Sequence, residues 1–336
     1  MAMAEMTSGI GLEIGPLDKP IVLKATANVR YVDIVGTAAL VEKYRDDPSV
    51  DAAGLAEVDF ALQDPEGRIR TLPEVTGGDG PFDWVVASHV IEHVPDLIAW
   101  FDELAQVTVD GGHLVLLIPD RRFTFDALRP RTTVGQMLQA HTDGDVVPSE
   151  RAVYDHFRSY VDVSAKDLWS GSSASQYPRV FTVDQASQLR TQRLETGEYL
   201  DSHVWTFTPV EFVEQVVELG MLGLCDFVVE HIEPTLADDL EFLVLLRRLP
   251  RGATEEAKRE EQASSIHPED VVEGETPMGR VDPERPSFLQ ARAESGALID
   301  SGIRSVLVSE REWKVIRMKR RAMGVIRNIV GAGRAT

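Results

Sequence analysis

A single cysteine, Cys225, stands among 336 residues, so neither an intrachain disulfide nor a cysteine-based zinc cluster can form. A reducing compartment suits such a chain. No apolar run approaches the roughly 20 residues of a membrane-spanning helix. The opening MAMAEMTSG has neither the basic nor the apolar region of a secretory signal. The expected location is the cytoplasm. Basic side chains are scarce: 34 Lys and Arg face 55 Asp and Glu, a formal net charge of -21 with a pI near 4.8. That balance argues against nucleic acid as the main partner, because such binding rests on cations neutralising phosphates. No internal repeat is apparent.

What is present includes 43% hydrophobic side chains, enough for one large domain and an appendage. The most informative stretch is FDWVVASHVIEHVPDLIAWFDELAQVTVDGGHLVLLIPDRRFTFD, residues 82–126. Trp84 to Ala87 and Leu114 to Ile118 are short apolar runs, the mark of strands buried on both faces. Between them Leu97, Phe101, Leu104 and Val107 recur at helical spacing, and Asp110-Gly111-Gly112 is a turn signal. Two buried strands joined by a helix form a right-handed crossover, so both strands end on one edge of a sheet. Ligands bind at that edge in open α/β sheets. Ser88, His89, Glu92 and His93 follow the first strand, and Asp120, Arg121, Arg122 and Asp126 follow the second.

Earlier in the chain, Gly11-Leu12-Glu13-Ile14-Gly15-Pro16 reads as a strand entering a turn, and Tyr31 to Val35 as a second strand containing Asp33. A carboxylate about 20 residues past the glycine turn suits the two hydroxyls of a ribose. The turn lacks the further glycines that let a backbone approach a pyrophosphate. A nucleoside without phosphates therefore fits better than NAD or FAD, although an ordinary βα turn would look the same. Val58 to Leu62 reads as a third strand. Beyond it Asp64 either reaches a nucleobase amine or opens the turn Asp64-Pro65-Glu66-Gly67.

LEIGP, YVD, FDWVVASHVIEHVPD and DGGHLVLLIPD, in this order and spacing, resemble a class I S-adenosylmethionine-dependent methyltransferase over about residues 9–126 and again near 203–249. The resemblance implies S-adenosyl-L-methionine as cofactor. It places Glu13, Gly15 and Pro16 at the methionine end, Asp33 at the ribose, Asp64 by the adenine, and Ser88 and His89 near the sulfonium. The implied fold is α/β: a doubly wound, mostly parallel seven-stranded sheet with an antiparallel last strand. An arginine-rich end and the PDRRFTFD block add a likeness to methyltransferases that work beside glycosyltransferases on cell-surface polysaccharide.

His89 to His93 also spells H-x-x-E-H, the pattern of inverted zinc peptidases. That motif belongs within a helix, whereas here it follows a strand and precedes Val94-Pro95, and proline disfavours helix at Val94. No metal ligand set is expected, although Asp120 and Asp126 would suit a divalent ion that acidified a hydroxyl.

Five regions result: a cofactor-binding core over 1–119, an inserted, mainly helical acceptor-binding lid over 120–203, the end of the core over 204–250, a polar linker over 251–286, and a basic amphipathic tail over 287–336. In the insertion, Val134, Met137 and Leu138, and then Val153 to Tyr160, suggest helices, and the Ser/Gly-rich WSGSSASQYP a mobile loop. His141, Tyr154, His156 and Arg121, Arg122, Arg129 and Arg131 supply its polar chemistry. Thr208-Pro209-Val210-Glu211 is a capping-box helix start, and Cys225 to Ile232 and Leu240 to Leu246 are closing strands. Residues 301–336 carry nine Lys or Arg against two acids, interleaved with Trp313, Ile316, Met323, Val325 and Ile326. That pattern suits an anionic membrane surface or an acidic partner, or packing on the chain's own acidic face.

The expected activity is O-methylation of a sugar, glycan or related small molecule by direct in-line transfer, with His89, Asp120 or His203 as base. The alternatives are a non-catalytic cofactor-binding partner subunit and an H-x-x-E-H zinc hydrolase.

Overall fold

A computed structural model describes residues 9–48 and 50–271. The basic tail and the last part of the expected linker lie outside the described residues. The described residues form two compact units, one ending at Ala87 and the other beginning at Ser88. The first holds β1 (Gly11–Ile14), β2 (Val29–Asp33), α1 (Thr37–Tyr44), β3 (Phe60–Ala61), α2 (Leu72–Thr76) and all but the last residue of β4 (Phe82–Ser88). The second holds α3 (Leu97–Val107), β5 (Thr108–Pro119), α4 (Val134–Asp143), α5 (Glu150–Ser159), α6 (Ala165–Trp169), α7 (Val183–Thr196), α8 (Pro209–Met221), β6 (Phe227–Glu233), β7 (Glu241–Arg248) and α9 (Glu255–Ala263). The sheet has seven strands in the order β3-β2-β1-β4-β5-β7-β6, with β7 antiparallel to both its neighbours. This is the expected mixed sheet with its antiparallel end.

In the first unit β1 pairs in parallel with β2 and β4, and β2 with β3. All four β1 residues are buried, as an apolar central strand requires. Gly11 faces the Trp84 ring so closely that a Cβ would lie 2.0 Å from it, so only glycine fits there. The parallel pairing brings the residues after β1 and β2 to one edge, where Gly15 takes φ +67° and Leu17 φ +48°. Such a conformation is uncommon for leucine.

In the second unit Leu97, Phe101, Leu104 and Val107 form the buried stripe of α3, and the Asp96 side chain caps its first turn by accepting the Ala99 N–H. The start of α8 follows the sequence expectation in part. Thr208 accepts the Glu211 N–H and proline occupies the first turn. The Glu211 carboxylate, however, binds the Arg121 guanidinium at 2.9 Å instead of closing a capping box, since an ionised partner makes the stronger hydrogen bond.

Two expectations are corrected here. The segment expected as linker from Arg251 is folded as far as Val271. Its α9 docks through buried Gln262, whose amide donates to the Phe227 carbonyl at 2.7 Å. Gly220 makes room, for a Cβ there would lie 2.0 Å from that amide nitrogen. The Ser/Gly-rich loop is anchored as well. Ala174 is buried with Phe123, Val161 and Leu168, Trp169 stacks on Phe123 at 3.9 Å, and its indole N–H donates to the Asp239 carbonyl at 2.7 Å.

Candidate functional site

In the first unit the expected cofactor residues fall at the carboxyl ends of parallel strands. Asp33 closes β2 and accepts its neighbour Ile34 N–H at 2.7 Å. Glu13 is buried, and its two carboxylate oxygens accept the N–H groups of Ile21 and Val22 at 2.7 and 2.9 Å. It therefore shapes the segment after β1. Asp64 accepts the Arg68 N–H at 2.8 Å. Desolvation would raise its carboxyl, but the hydrogen bonds and charge of Arg68 outweigh it and hold the group below the usual carboxylate range, as a turn-opening aspartate requires. Pro16 follows Gly15 in the loop after β1.

The second unit gathers more chemistry than the sequence suggested. Three histidines turn one ring nitrogen towards Glu92 Oε1: His89 Nδ1 at 3.5 Å, His93 Nε2 at 3.9 Å and His203 Nε2 at 3.9 Å. The other ring nitrogen of each lies close to a second carboxylate. His89 Nε2 meets Glu241, His93 Nδ1 lies 2.9 Å from Asp201, and His203 Nδ1 lies 2.5 Å from Asp126.

Local structure explains the convergence. Ser88 ends β4, and His89 leaves the strand at φ +54°, the kind of strained backbone that clusters at functional sites. Ile91–His93 is a single 3-10 turn, not the helix a zinc peptidase motif needs. Residues 203–205 are laced onto that turn. The N–H of Val204 donates to the Glu92 carbonyl at 2.7 Å, and the Trp205 indole donates to the Val94 carbonyl at 2.6 Å. Arg129 completes the lacing by donating to the His203 carbonyl at 2.7 Å.

Burial sets the charges. It would raise the Glu92 carboxyl, but the surrounding histidines outweigh it and bring the group down to about 2. Burial would likewise raise Asp126, yet His203 and Arg129 hold it well below the usual range. His203 is itself pushed down by burial, which the Asp126 charge only partly offsets. Neutral His203 thus donates its Nδ1–H to ionised Asp126. His156 is pushed down by burial too, and its Nδ1 accepts the His203 backbone N–H at 3.1 Å.

Asp120 is differently placed. It is buried, it is clasped by Arg122 with contacts down to 2.6 Å, and it accepts the Thr235 hydroxyl at 2.7 Å. It anchors the turn after β5. Arg121 and Arg129 are tied internally in the same way, and Arg131 pairs with Glu214 at 2.6 Å. His141 contacts Asp96 at 2.9 Å. Sequence reasoning placed Glu92 and His93 after the first buried strand but gave them no role in the transfer reaction, although the E-H pair directly after that strand was a usable signal. Glu241 and Asp201 carried no local signal.

A methyltransferase domain family model matches residues 7–209. The chain belongs to that family. Class I S-adenosylmethionine-dependent methyltransferase, the sequence expectation, therefore holds, with S-adenosylmethionine as the cofactor. Similar solved structures include a SAM-dependent methyltransferase from Methanosarcina mazei, at 15% identity and TM-score 0.34, with 73% of this chain and 94% of that one covered. Another, from Mesorhizobium loti, has 15% identity and TM-score 0.33 with 73% and 93% covered. The magnesium protoporphyrin IX methyltransferase from Synechocystis, with bound SAH, has 12% identity and TM-score 0.33 with 74% and 77% covered. No curated protein matches the sequence. The donor set fits the cofactor: Asp33 offers a carboxylate at the end of β2.

Proposed function

We propose that the protein methylates a hydroxyl of a sugar, glycan or related small molecule, with His89 as the base. When bound, S-adenosylmethionine supplies a methyl group already activated on a sulfonium. The chain has then to align the acceptor and receive its proton. The observation that carries the reading is His89 at the end of β4, fixed by strained backbone and by Glu241. A carboxylate behind an imidazole sets the ring's orientation and stabilises the imidazolium that forms when a proton is taken up. Alignment of this kind supplies on the order of 7–11 kcal/mol of a barrier, and a positioned base contributes roughly 10²- to 10⁴-fold. Residues 120–203 are proposed to bind the acceptor, and their helices α5 and α7 are tied by Arg193, which donates to the Pro148 carbonyl at 2.7 Å before α5.

The test is a transfer assay with methyl-labelled S-adenosylmethionine and a panel of sugars, sugar nucleotides and glycans. His89→Gln should lower turnover by about 10²- to 10⁴-fold on the accepted substrate. Unchanged turnover would remove His89 as base. Cofactor binding without product on any acceptor would favour a non-catalytic partner subunit.

A further inference from the structure

We infer that Glu92, His93 and His203 form a binding site for a divalent first-row transition metal such as Zn²⁺. The three ligand atoms lie within 4.8 Å of one another, and both histidines present Nε2 to the same Glu92 oxygen at 3.9 Å. Tetrahedral ligands about 2.1 Å from a metal lie roughly 3.4 Å apart, so the side chains need to draw in by only about an ångström. Two imidazoles and a carboxylate suit such metals and leave positions open.

The surroundings favour a metal as strongly as the ligands do. Metal-binding histidines characteristically give their second ring nitrogen to a carboxylate, which fixes the tautomer and leaves the other nitrogen free to coordinate. Asp126 holds His203 Nδ1, the Asp201 carboxylate lies 2.9 Å from His93 Nδ1, and the Nε2 atoms of both histidines face Glu92. Glu92 is fully buried, while the His93 side chain is 28% exposed and gives an ion a way in. The lacing of residues 203–205 onto the 92–94 turn fixes the distance between the two sequence-remote histidines before any ion arrives.

A neighbouring group, Asp126, His156 and His203, has comparable spacing, but its atoms are used within the protein. His203 Nδ1 bonds Asp126 and His156 Nδ1 accepts a backbone N–H. His89 stands beside the site, on Glu92 and Glu241, and is not counted among the ligands. The inference rests on side chains of one unit and does not depend on the acceptor or on the transfer reaction.

The experiment is titration of the chelator-treated full chain with Co²⁺ and then Zn²⁺, followed by cobalt absorption, proton release and calorimetry, with circular dichroism as the folding control. Wild type should bind one ion per chain, develop the visible bands of a low-coordinate cobalt site, and exchange cobalt for zinc. Glu92→Gln and His203→Gln should each weaken binding by at least 100-fold, and Asp126→Asn by about 10- to 100-fold. His113→Gln, on β5, should bind as wild type. If a ligand variant loses its fold, stoichiometry and cobalt spectrum of the wild type still decide. Absence of stoichiometric binding in wild type would overturn the site. So would loss of binding in His156→Gln with Glu92→Gln unaffected.

Discussion

Buried ionised carboxylates beside buried neutral histidines make stability depend on pH in a direction that can be worked out. Glu92 and Asp126 titrate in the folded chain below the roughly 4 of unfolded carboxyls. They add stability above that range, and it is lost as the pH falls from about 4 towards the folded values. His156 and His203 titrate below the unfolded histidine value near 6.5. Between those values the unfolded chain holds more protons, so stability rises with pH and is complete only above about 6.5. Thermal unfolding followed by calorimetry should therefore show a midpoint that falls steadily from pH 7 to pH 5, with a shallower fall in His156→Gln. A midpoint that rises on acidification would contradict the assigned charges. The positions of Asp33, His89 and His203 in the fold were legible because each stands next to a recognisable strand or insertion boundary. Glu241 was not, because only the pairing of β7 with β5 brings it opposite Pro119 and within reach of His89.

At the scale of elements, the contact between β1 and β4 depends on one missing side chain. Gly11→Ala places a methyl 2.0 Å from the Trp84 ring, and overpacking of that kind costs typically about 1–3 kcal/mol. Denaturant unfolding of Gly11→Ala, Trp84→Leu and the double variant should show strong non-additivity, with Trp84→Leu absorbing most of the Gly11→Ala loss. Additive effects would mean that the two positions do not meet. Strands and the α3 stripe were legible because buried apolar runs and helical spacing register directly in the sequence. The helix α9 was not. Its sequence EEAKREEQA is almost wholly polar, and its one buried residue is glutamine, so no apolar stripe announces it. The Ser/Gly-rich loop misled for a related reason: its anchors, Ala174 and Trp169, are held by residues far away in the chain.

For the molecule as a whole, sequence pattern, mixed sheet and family membership agree on a methyltransferase, while the acceptor is a proposal that rests on the likeness carried by PDRRFTFD. Among the described residues no helix is long and apolar enough to cross a membrane. Sheet order was legible in outline, since a buried strand, helix and buried strand admit one hand of crossover. The convergence of His89, His93 and His203 on Glu92 was not, because it needs residues over a hundred positions apart to meet. The central claim, a phosphate-free nucleoside cofactor held at Asp33, is tested most directly by calorimetric titration with S-adenosylhomocysteine. Wild type should bind one equivalent, and Asp33→Ala should lose roughly 1.5–3 kcal/mol through the missing charge-assisted hydrogen bonds to the ribose. Equal affinity in the two proteins, or no binding by the wild type, would contradict it.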